Sequence, residues 1–304
     1  MKILITGGAG YKGIKLTRAL LEAKHDVTVL DNFMYGFEPF LHLAEYPNLT
    51  VEKADVRNEI KNLHQYEVVY HLAGISGFPA CAANPSSAIL INVEATKQMV
   101  KNLAKDQILI NASTTSFYGK SGVACDENTP VDPVSTYGLT KYDAEKIVSE
   151  RENSISLRFA TVFGPSPRIR MDLMVNDFTY KAMKEHVVVL FDSFAKRTFI
   201  HIDDAVSCYL FALKNYDKMK GQIYNAGGNN LNYSKLEIAN LIKQKIDFNI
   251  IDSDIKDKDL RHFIVSFDKI EKLGFKPLKT VDQGIDELIR IFSFYEFYSH
   301  FRTI

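Results

Sequence analysis

A short apolar strand that runs into three spaced glycines and then into an amphipathic helix constrains this chain more than any other feature. Ile3 to Thr6 has the pattern of a buried strand. Gly7, Gly10 and Gly13 follow at a three-residue rhythm, and Ile14, Leu16, Ala19, Leu20 and Leu21 then share roughly one helical face. Strand, glycine turn and helix is a layout that holds a dinucleotide pyrophosphate. Gly7 allows the tight turn, Gly10 lets the backbone approach the phosphates, and Gly13 lets helix and strand pack closely. The helix start offers unpaired amides and a positive dipole end to the anion. A ligand-free glycine turn is the competing reading.

Context decides between the two. Asp31 ends a second apolar strand, Asp26 to Asp31, eighteen residues past Gly13. That is where an acid accepts hydrogen bonds from a ribose and repels a 2′-phosphate. Asn32, not an arginine, follows it, so the pattern favours NAD over NADP.

The chain has 304 residues, enough for one large domain or two smaller ones. Its 46% hydrophobic content supports a substantial core. Lys+Arg and Asp+Glu balance at 37 each, which argues against a nucleic-acid partner. No apolar run approaches membrane-spanning length, so no membrane role is expected. Cys81, Cys125 and Cys208 are far apart and odd in number, which reads as reduced thiols in a cytoplasmic protein. The histidines show no metal-ligand spacing, so no metal is expected.

Strands and helices alternate through the first half. Further strands are expected at Leu49 to Asp55, Val68 to Gly74, Ile108 to Ser113 and Ile155 to Phe159, with helices at Ser86 to Lys105 and Val134 to Arg151. The fold class is therefore α/β, a doubly wound parallel sheet. Later elements include helices at Asp172 to Lys184, Asp203 to Lys214 and Ser234 to Lys245, the last with a Ser234/Glu237 capping box. Val187 to Phe191 and Thr198 to Ile202 read as strands, and Ile223 to Ala226 as a strand returning to the first sheet. A final helix is expected from Val281 to Tyr298. The expected organisation is a dinucleotide-binding domain over 1–165, with a return at about 199–226, and a smaller α/β substrate-binding domain over 166–198 and 227–304.

Tyr137 and Lys141 stand four apart on a predicted helix and so share a face. A tyrosine is a poor base at its free pKa near 10. A nearby ammonium favours its phenolate, which then exchanges a hydroxyl proton while hydride moves to or from a nicotinamide. A surface helix pair is the alternative.

With these residues the chain resembles the extended short-chain dehydrogenase/reductases, specifically the NAD-dependent epimerase/dehydratase group acting on nucleotide sugars. The likeness rests on Thr6 to Gly13, Asp31, His71 to Gly74, Asn92 to Thr96, Ser113 to Gly119, Tyr137/Lys141, Leu157 to Phe159 and Arg197 to Asp204. It implies a Rossmann domain and a catalytic set of Thr114, Tyr137 and Lys141, with Ser113 the neighbouring candidate for the hydroxyl. It also implies cofactor contacts at Gly7, Gly10, Tyr11, Lys12, Gly13, Asp31, Asn32, Asp55, Val56, Leu72, Ala73, Gly74, Asn92, Phe159 and Val162. Substrate contacts would come from Thr114, Thr115, Asn176 and Arg197, with Arg261, Arg168 and Arg170 as further anion-binding candidates. Arginine's fork of donors suits a diphosphate; a surface salt bridge is the competing reading. A homodimer is also implied, and the aromatic tail from Phe292 to Phe301 covers either the small domain or a partner subunit.

One absence is informative. The 4,6-dehydratases of this group carry Asp-Glu after the catalytic threonine, whereas this chain has Thr115 and Ser116. The glutamate that related decarboxylases keep is missing, as is the cysteine of the 3,5-epimerase/4-reductases. The remaining chemistry needs hydride and one hydroxyl proton. That means a 4-epimerase passing through a transient 4-keto sugar, on a UDP- or GDP-linked substrate. The alternative is a C4 dehydrogenase/reductase with tightly held NAD(H), with GDP-heptose a possible substrate. A third reading, a non-catalytic dinucleotide-binding regulator, is opposed by the intact Thr114/Tyr137/Lys141 set. Lys12 stands where such loops carry an apolar residue, and is expected to reach either a phosphate or solvent. Cys81 and His201 are expected to pack, and Val187 to Phe191 to be a buried strand.

Overall fold

The structure, a computed structural model, describes residues 1–257, 259 and 261–296. Strand β1 (Lys2–Thr6) leads through the glycine turn into α1 (Tyr11–Glu22) and then β2 (Asp26–Asp31), β3 (Leu49–Lys53) and β4 (Val68–His71). Helices α2 (Phe78–Ala83), α3 (Pro85–Ile89) and α4 (Ala95–Asn102) precede β5 (Ile108–Thr114) and β6 (Lys120–Cys125). Helix α5 (Thr136–Ser149) is followed by β7 (Ser154–Phe159) and β8 (Thr161–Phe163). Next come α6 (Met174–Lys184), β9 (Val187–Phe191), β10 (Lys196–His201), α7 (Ile202–Lys214), α8 (Tyr216–Met219) and β11 (Gln222–Ala226). The chain ends with β12 (Asn232–Ser234), α9 (Lys235–Lys243), β13 (Asn249–Ser253), β14 (His262–Val265), α10 (Asp268–Glu271) and α11 (Val281–Phe292).

The main sheet has seven strands in the order β11-β7-β5-β4-β1-β2-β3, all parallel. Chain order reverses between β1 and β4, and in such sheets ligands settle beyond the carboxyl ends of the strands at that crevice. The expected doubly wound class is borne out, including the return of β11 beside β7. Burial explains the strands: Ile3, Leu4, Ile5, Val68, Val69 and Tyr70 are fully buried because helices cover both faces.

There are three smaller sheets, β12-β10-β8, β13-β9 and β14-β6, and the cavity beyond these ends reaches β8, β9 and β10. A second apolar cluster joins α6, α9 and α11 through Val175, Ile238, Ile285 and Leu288. Phe263, Phe267 and Phe275 instead join the cluster of the main sheet.

Some boundaries differ from the sequence reading. The helix expected over Ser86 to Lys105 starts at Pro85, capped by Asn84, and is interrupted by a π turn at Leu90–Glu94. The turn lets Asn92 reach inward. The last helix ends at Phe292, which is fully buried; Tyr295 packs against the second cluster and Phe294 is exposed. Phe297, Tyr298 and Phe301 lie outside the described residues. Among the described residues no helix is long and apolar enough to cross a membrane.

Candidate active site

A cavity of about 520 Å³ opens at the carboxyl ends of β1, β4, β5 and β7 and extends to the smaller sheets. Its inner end begins at the glycine turn. Gly7 has φ +72°, and a Cβ there would lie 2.6 Å from Ala73 N. At Gly13 a Cβ would lie 2.3 Å from Gly7 O. Both positions therefore exclude any side chain, and α1 starts close against β1. The cap residue Gly10 offers no side chain, so the first amides of α1 are free for an anion. Asp31 accepts from Ala9 N at 3.0 Å and Phe33 N at 2.9 Å, which fixes its carboxylate beside the turn. Burial raises its pKa, with these backbone amides and Arg168 opposing.

The catalytic wall is built by β5 and α5. Successive side chains on a strand point to opposite faces, and this separates Ser113 from Thr114. Both residues line the cavity, but the Ser113 hydroxyl is committed to Glu145 Oε2 at 2.6 Å, while that of Thr114 donates to Ser116 Oγ at 3.0 Å. Tyr137 and Lys141 line the same cavity from α5, whose start Ser135 caps through Gly138 N. Burial lowers the Lys141 pKa to about 8, and Glu145 one turn on acts against that shift. Glu145 also forms a buried ion pair with Arg158 of β7 at 2.7 Å. One carboxylate thus ties β5, α5 and β7 together.

Several sequence candidates are placed differently. Lys12 is partly buried and lines the cavity, where its ammonium lies 4.2 Å from the centroid of the Phe159 ring. Thr115 does not face the cavity, because its hydroxyl donates to Phe159 O at 3.2 Å. Asn176 is fully buried, accepting from Gly164 N and donating to Arg170 O. Asn92 likewise clamps Ile75 through both its amide atoms and donates to Thr140. These three act as struts, a role that residue type alone does not distinguish from ligand contact. Asp55 pairs with Arg57, and Val56 packs into an apolar cluster beside Leu4 and Leu30. Arg168 stacks on Tyr35 at 3.7 Å and lies near Asp31, at the glycine-turn end of the cavity rather than the far end. The Tyr11 hydroxyl donates to Gly164 O at 2.6 Å, and Leu72, Gly74 and Val162 line the cavity. Asn32 is exposed and accepts from Met34 N. Cys81 is buried and donates to Ile75 O; burial pushes its thiol up to about 11, as a packing role requires. His201 is fully buried and caps α7, in line with its expected packing role.

Towards the other end, Arg197 and Arg261 flank Asp259, with Arg197 Nη2 3.4 Å from its carboxylate and Arg261 paired to it directly while also donating to Ser116 Oγ of the catalytic wall at 2.6 Å. Burial opposes ionisation of Asp259, but Arg261 and Arg197 outweigh it and hold the pKa near about 2. Burial, then repulsion from Arg261, lowers Arg197 to about 10. Lys235 pairs with Asp257 beside them. The sequence reading missed this acidic partner set, and also that β9 is two-faced: Val188 and Leu190 are buried while Val189 and Phe191 line the cavity. Its unbroken apolar run conceals that alternation. Arg170, a weaker candidate, pairs with Asp172 and donates to Ser76 Oγ at 3.0 Å on the cavity wall.

Comparison with known proteins agrees with this geometry. The chain is 29% identical over 301 residues to a putative UDP-glucose 4-epimerase of Methanocaldococcus jannaschii, covering 94% of this chain and 97% of the relative. It is 32% identical over 267 residues to the uncharacterized UDP-glucose epimerase YtcB of Bacillus subtilis, covering 80% and 81%. Among solved structures, the UDP-glucuronic acid 4-epimerase of Bacillus cereus in complex with NAD superimposes with a TM-score of 0.82 at 25% identity, covering 96% of this chain and 99% of that one. The model of the NAD dependent epimerase/dehydratase family matches residues 3–227. This chain is a member of the NAD-dependent epimerase/dehydratase family of enzymes.

Proposed function

We propose that the protein is a nucleotide-sugar 4-epimerase that works through a transient 4-keto sugar, with a UDP-linked sugar as the first substrate to test. The observation that carries this reading is the make-up of the catalytic wall. Thr114, Tyr137 and Lys141 meet there, and every carboxylate lining the cavity is already paired: Asp172 with Arg170, Asp177 with Lys181, Asp257 with Lys235 and Asp259 with Arg261. Such a wall suits exchange of one hydroxyl proton and offers no unpaired acid to expel water.

The glycine turn that tolerates no Cβ, the uncapped start of α1 and the fixed Asp31 carboxylate together fit a dinucleotide. Gly7 to Gly13 would hold its pyrophosphate and Asp31 its adenosine ribose. Arg168, on this side, would add a charge to the same grip. When bound, NAD would supply a hydride acceptor and, once reduced, the donor that restores the sugar. Tyr137 takes the C4 hydroxyl proton and gives it back when the ketone is reduced, with Lys141 one helical turn along the same wall. Thr114 holds the same oxygen by hydrogen bond. Arg197 and Arg261 would meet the substrate diphosphate at the far end, exchanging part of their pairing with Asp259 for it. We further assign 1–165 with the 199–226 return to the cofactor unit and 166–198 with 227–304 to the substrate unit, in a homodimer.

The test is incubation with UDP- and GDP-sugars followed by mass and NMR analysis. A product of unchanged mass with inverted C4 is expected, and Tyr137→Phe should retain NAD while losing turnover. An oxidised product released without inversion would overturn the epimerase reading in favour of a C4 dehydrogenase.

A further inference from the structure

Lys12 has no role in the chemistry above, yet it stands inside the same cavity. It is the second residue of α1, and its ammonium lies over an aromatic floor: 4.2 Å from the Phe159 ring centroid and 5.5 Å from that of Tyr209. The two rings pack at 4.7 Å, so β7 and α7 form this floor together. Among the described residues no carboxylate lies within ion-pair distance of it. The charged or titratable groups that face it are Lys141 from α5, Arg170 from the 164–173 loop and Cys208 from α7. Burial, then repulsion from Lys141 and Arg170, lowers its pKa to about 7. Ring faces attract a cation, which explains why the ammonium settles there at all. They do not neutralise it. Lys12, Lys141 and Arg170 therefore concentrate positive charge on one wall, and Lys12 alone of the three has no carboxylate among the groups that act on it.

The nicotinamide ring carries a positive charge when oxidised and none when reduced. We propose that Lys12 makes this site hold reduced cofactor more tightly, relative to oxidised cofactor, than an apolar residue at the same position would. The inference rests on the reading that the nicotinamide end lies by Phe159, Tyr137 and Lys141. An unpaired charge there opposes one form of the ligand and is indifferent to the other. A unit charge roughly 10 Å away at an effective dielectric of about 20 shifts such a ratio about tenfold.

The test measures the affinities of cofactor-stripped protein for NADH, by its own fluorescence, and for NAD⁺, by displacement. The chain has no tryptophan to obscure the signal. Wild type, Lys12→Met and Lys12→Arg are compared at about pH 6, where Lys12 is charged, and at about pH 9, where it is neutral while an arginine remains charged. Lys141 is charged in all three proteins at the lower pH, so the comparison there isolates position 12. Lys12→Met should shift the ratio toward NAD⁺ about tenfold at the lower pH and little at the higher. Lys12→Arg should match wild type at the lower pH and keep the bias toward NADH at the higher. Equal ratios for wild type and Lys12→Met at the lower pH, or a Lys12→Arg protein that behaves like Lys12→Met, would overturn the proposal. Failure of wild type to bind either form would instead overturn the cofactor reading on which it rests.

Discussion

Replacing Glu145 with glutamine tests the link between the buried network and the chemistry. Glu145 is 1% exposed and its partner Arg158 is 4% exposed. The guanidinium makes three contacts to the carboxylate at 2.7 to 3.1 Å, and Ser113 adds a fourth hydrogen bond at 2.6 Å. Glutamine keeps the shape but leaves Arg158 buried without a counter-charge. Its remaining acceptors are Tyr118 OH at 2.8 Å and Glu127 O at 3.4 Å. Breaking a buried pair in this way costs about 3–5 kcal/mol; because the amide retains some bonds, the lower end, about 3 kcal/mol, is expected. With a urea slope of about 3 kcal/mol per molar, the unfolding midpoint should fall by about 1 M, read by circular dichroism. A second effect should appear in the pH profile. Glu145 raises the Lys141 pKa against burial, so its neutralisation should move the alkaline limb of turnover below about 8. The double variant Glu145→Leu/Arg158→Met removes both charges and should cost much less than the sum of the single losses. A loss under about 1 kcal/mol for Glu145→Gln, or additive losses in the double variant, would refute the argument that an uncompensated charge is the cause.

Gly13→Ala sets a Cβ 2.3 Å from Gly7 O, so α1 must retreat by roughly 1 Å to reach van der Waals distance; calorimetry should show NAD binding weakened by about 1–2 kcal/mol, the worth of a helix start to an anion. Thr114→Val should lower kcat by about 10²-fold with the fold intact, whereas Ser113→Ala, whose hydroxyl faces Glu145, should lower stability by about 1–3 kcal/mol and spare kcat, as steady-state kinetics and urea melts would report. Lys141 gives opposite pH trends for activity and stability. Its folded pKa of about 8 lies below the ordinary lysine value of 10.5, so between these values the unfolded chain binds the proton more tightly and stability rises with pH. Turnover should fall over the same range as the ammonium beside Tyr137 is lost, and Lys141→Met should flatten the stability rise measured by urea melts across that window.

The parts legible from the sequence were those in which a local pattern has a local cause. The glycine turn was readable because crowding at Gly7 and Gly13 leaves no room for a Cβ. The Ser234/Glu237 capping box forms as expected, with both reciprocal bonds present. The doubly wound parallel class follows from strand–helix alternation and the crossover rule. Residues whose roles depend on distant partners were not legible. Asn92 and Asn176 have the composition of ligand contacts, but their amides are used by Ile75 and Gly164, backbone that only the fold brings near. The surroundings of Lys12 are not legible for the same reason, since the Tyr209 ring beneath it comes from almost two hundred residues along the chain. Arg197 was picked as an anion ligand without its partner, because Asp259 lies far away in sequence.

The cavity's charges are arranged in two unlike ways, and the difference bears on how substrate would be held and turned over. At the far end Arg197, Arg261 and Lys235 are neutralised in place by Asp257 and Asp259. An entering diphosphate there competes with existing acids, so its binding is an exchange of partners and its net gain is modest. At the inner end Lys12 lacks an acid, and the acid near Lys141, Glu145, is itself committed to Arg158. That end therefore carries positive potential which the pairings in the protein do not cancel. A wall of this kind stabilises an oxygen that is losing its proton, where negative charge develops as a hydroxyl is oxidised. It also disfavours a cationic ring. Proton removal and hydride transfer from the sugar to the oxidised cofactor are thus both favoured by the same charges, while hydride return, which restores the cationic ring, is the half-reaction they oppose.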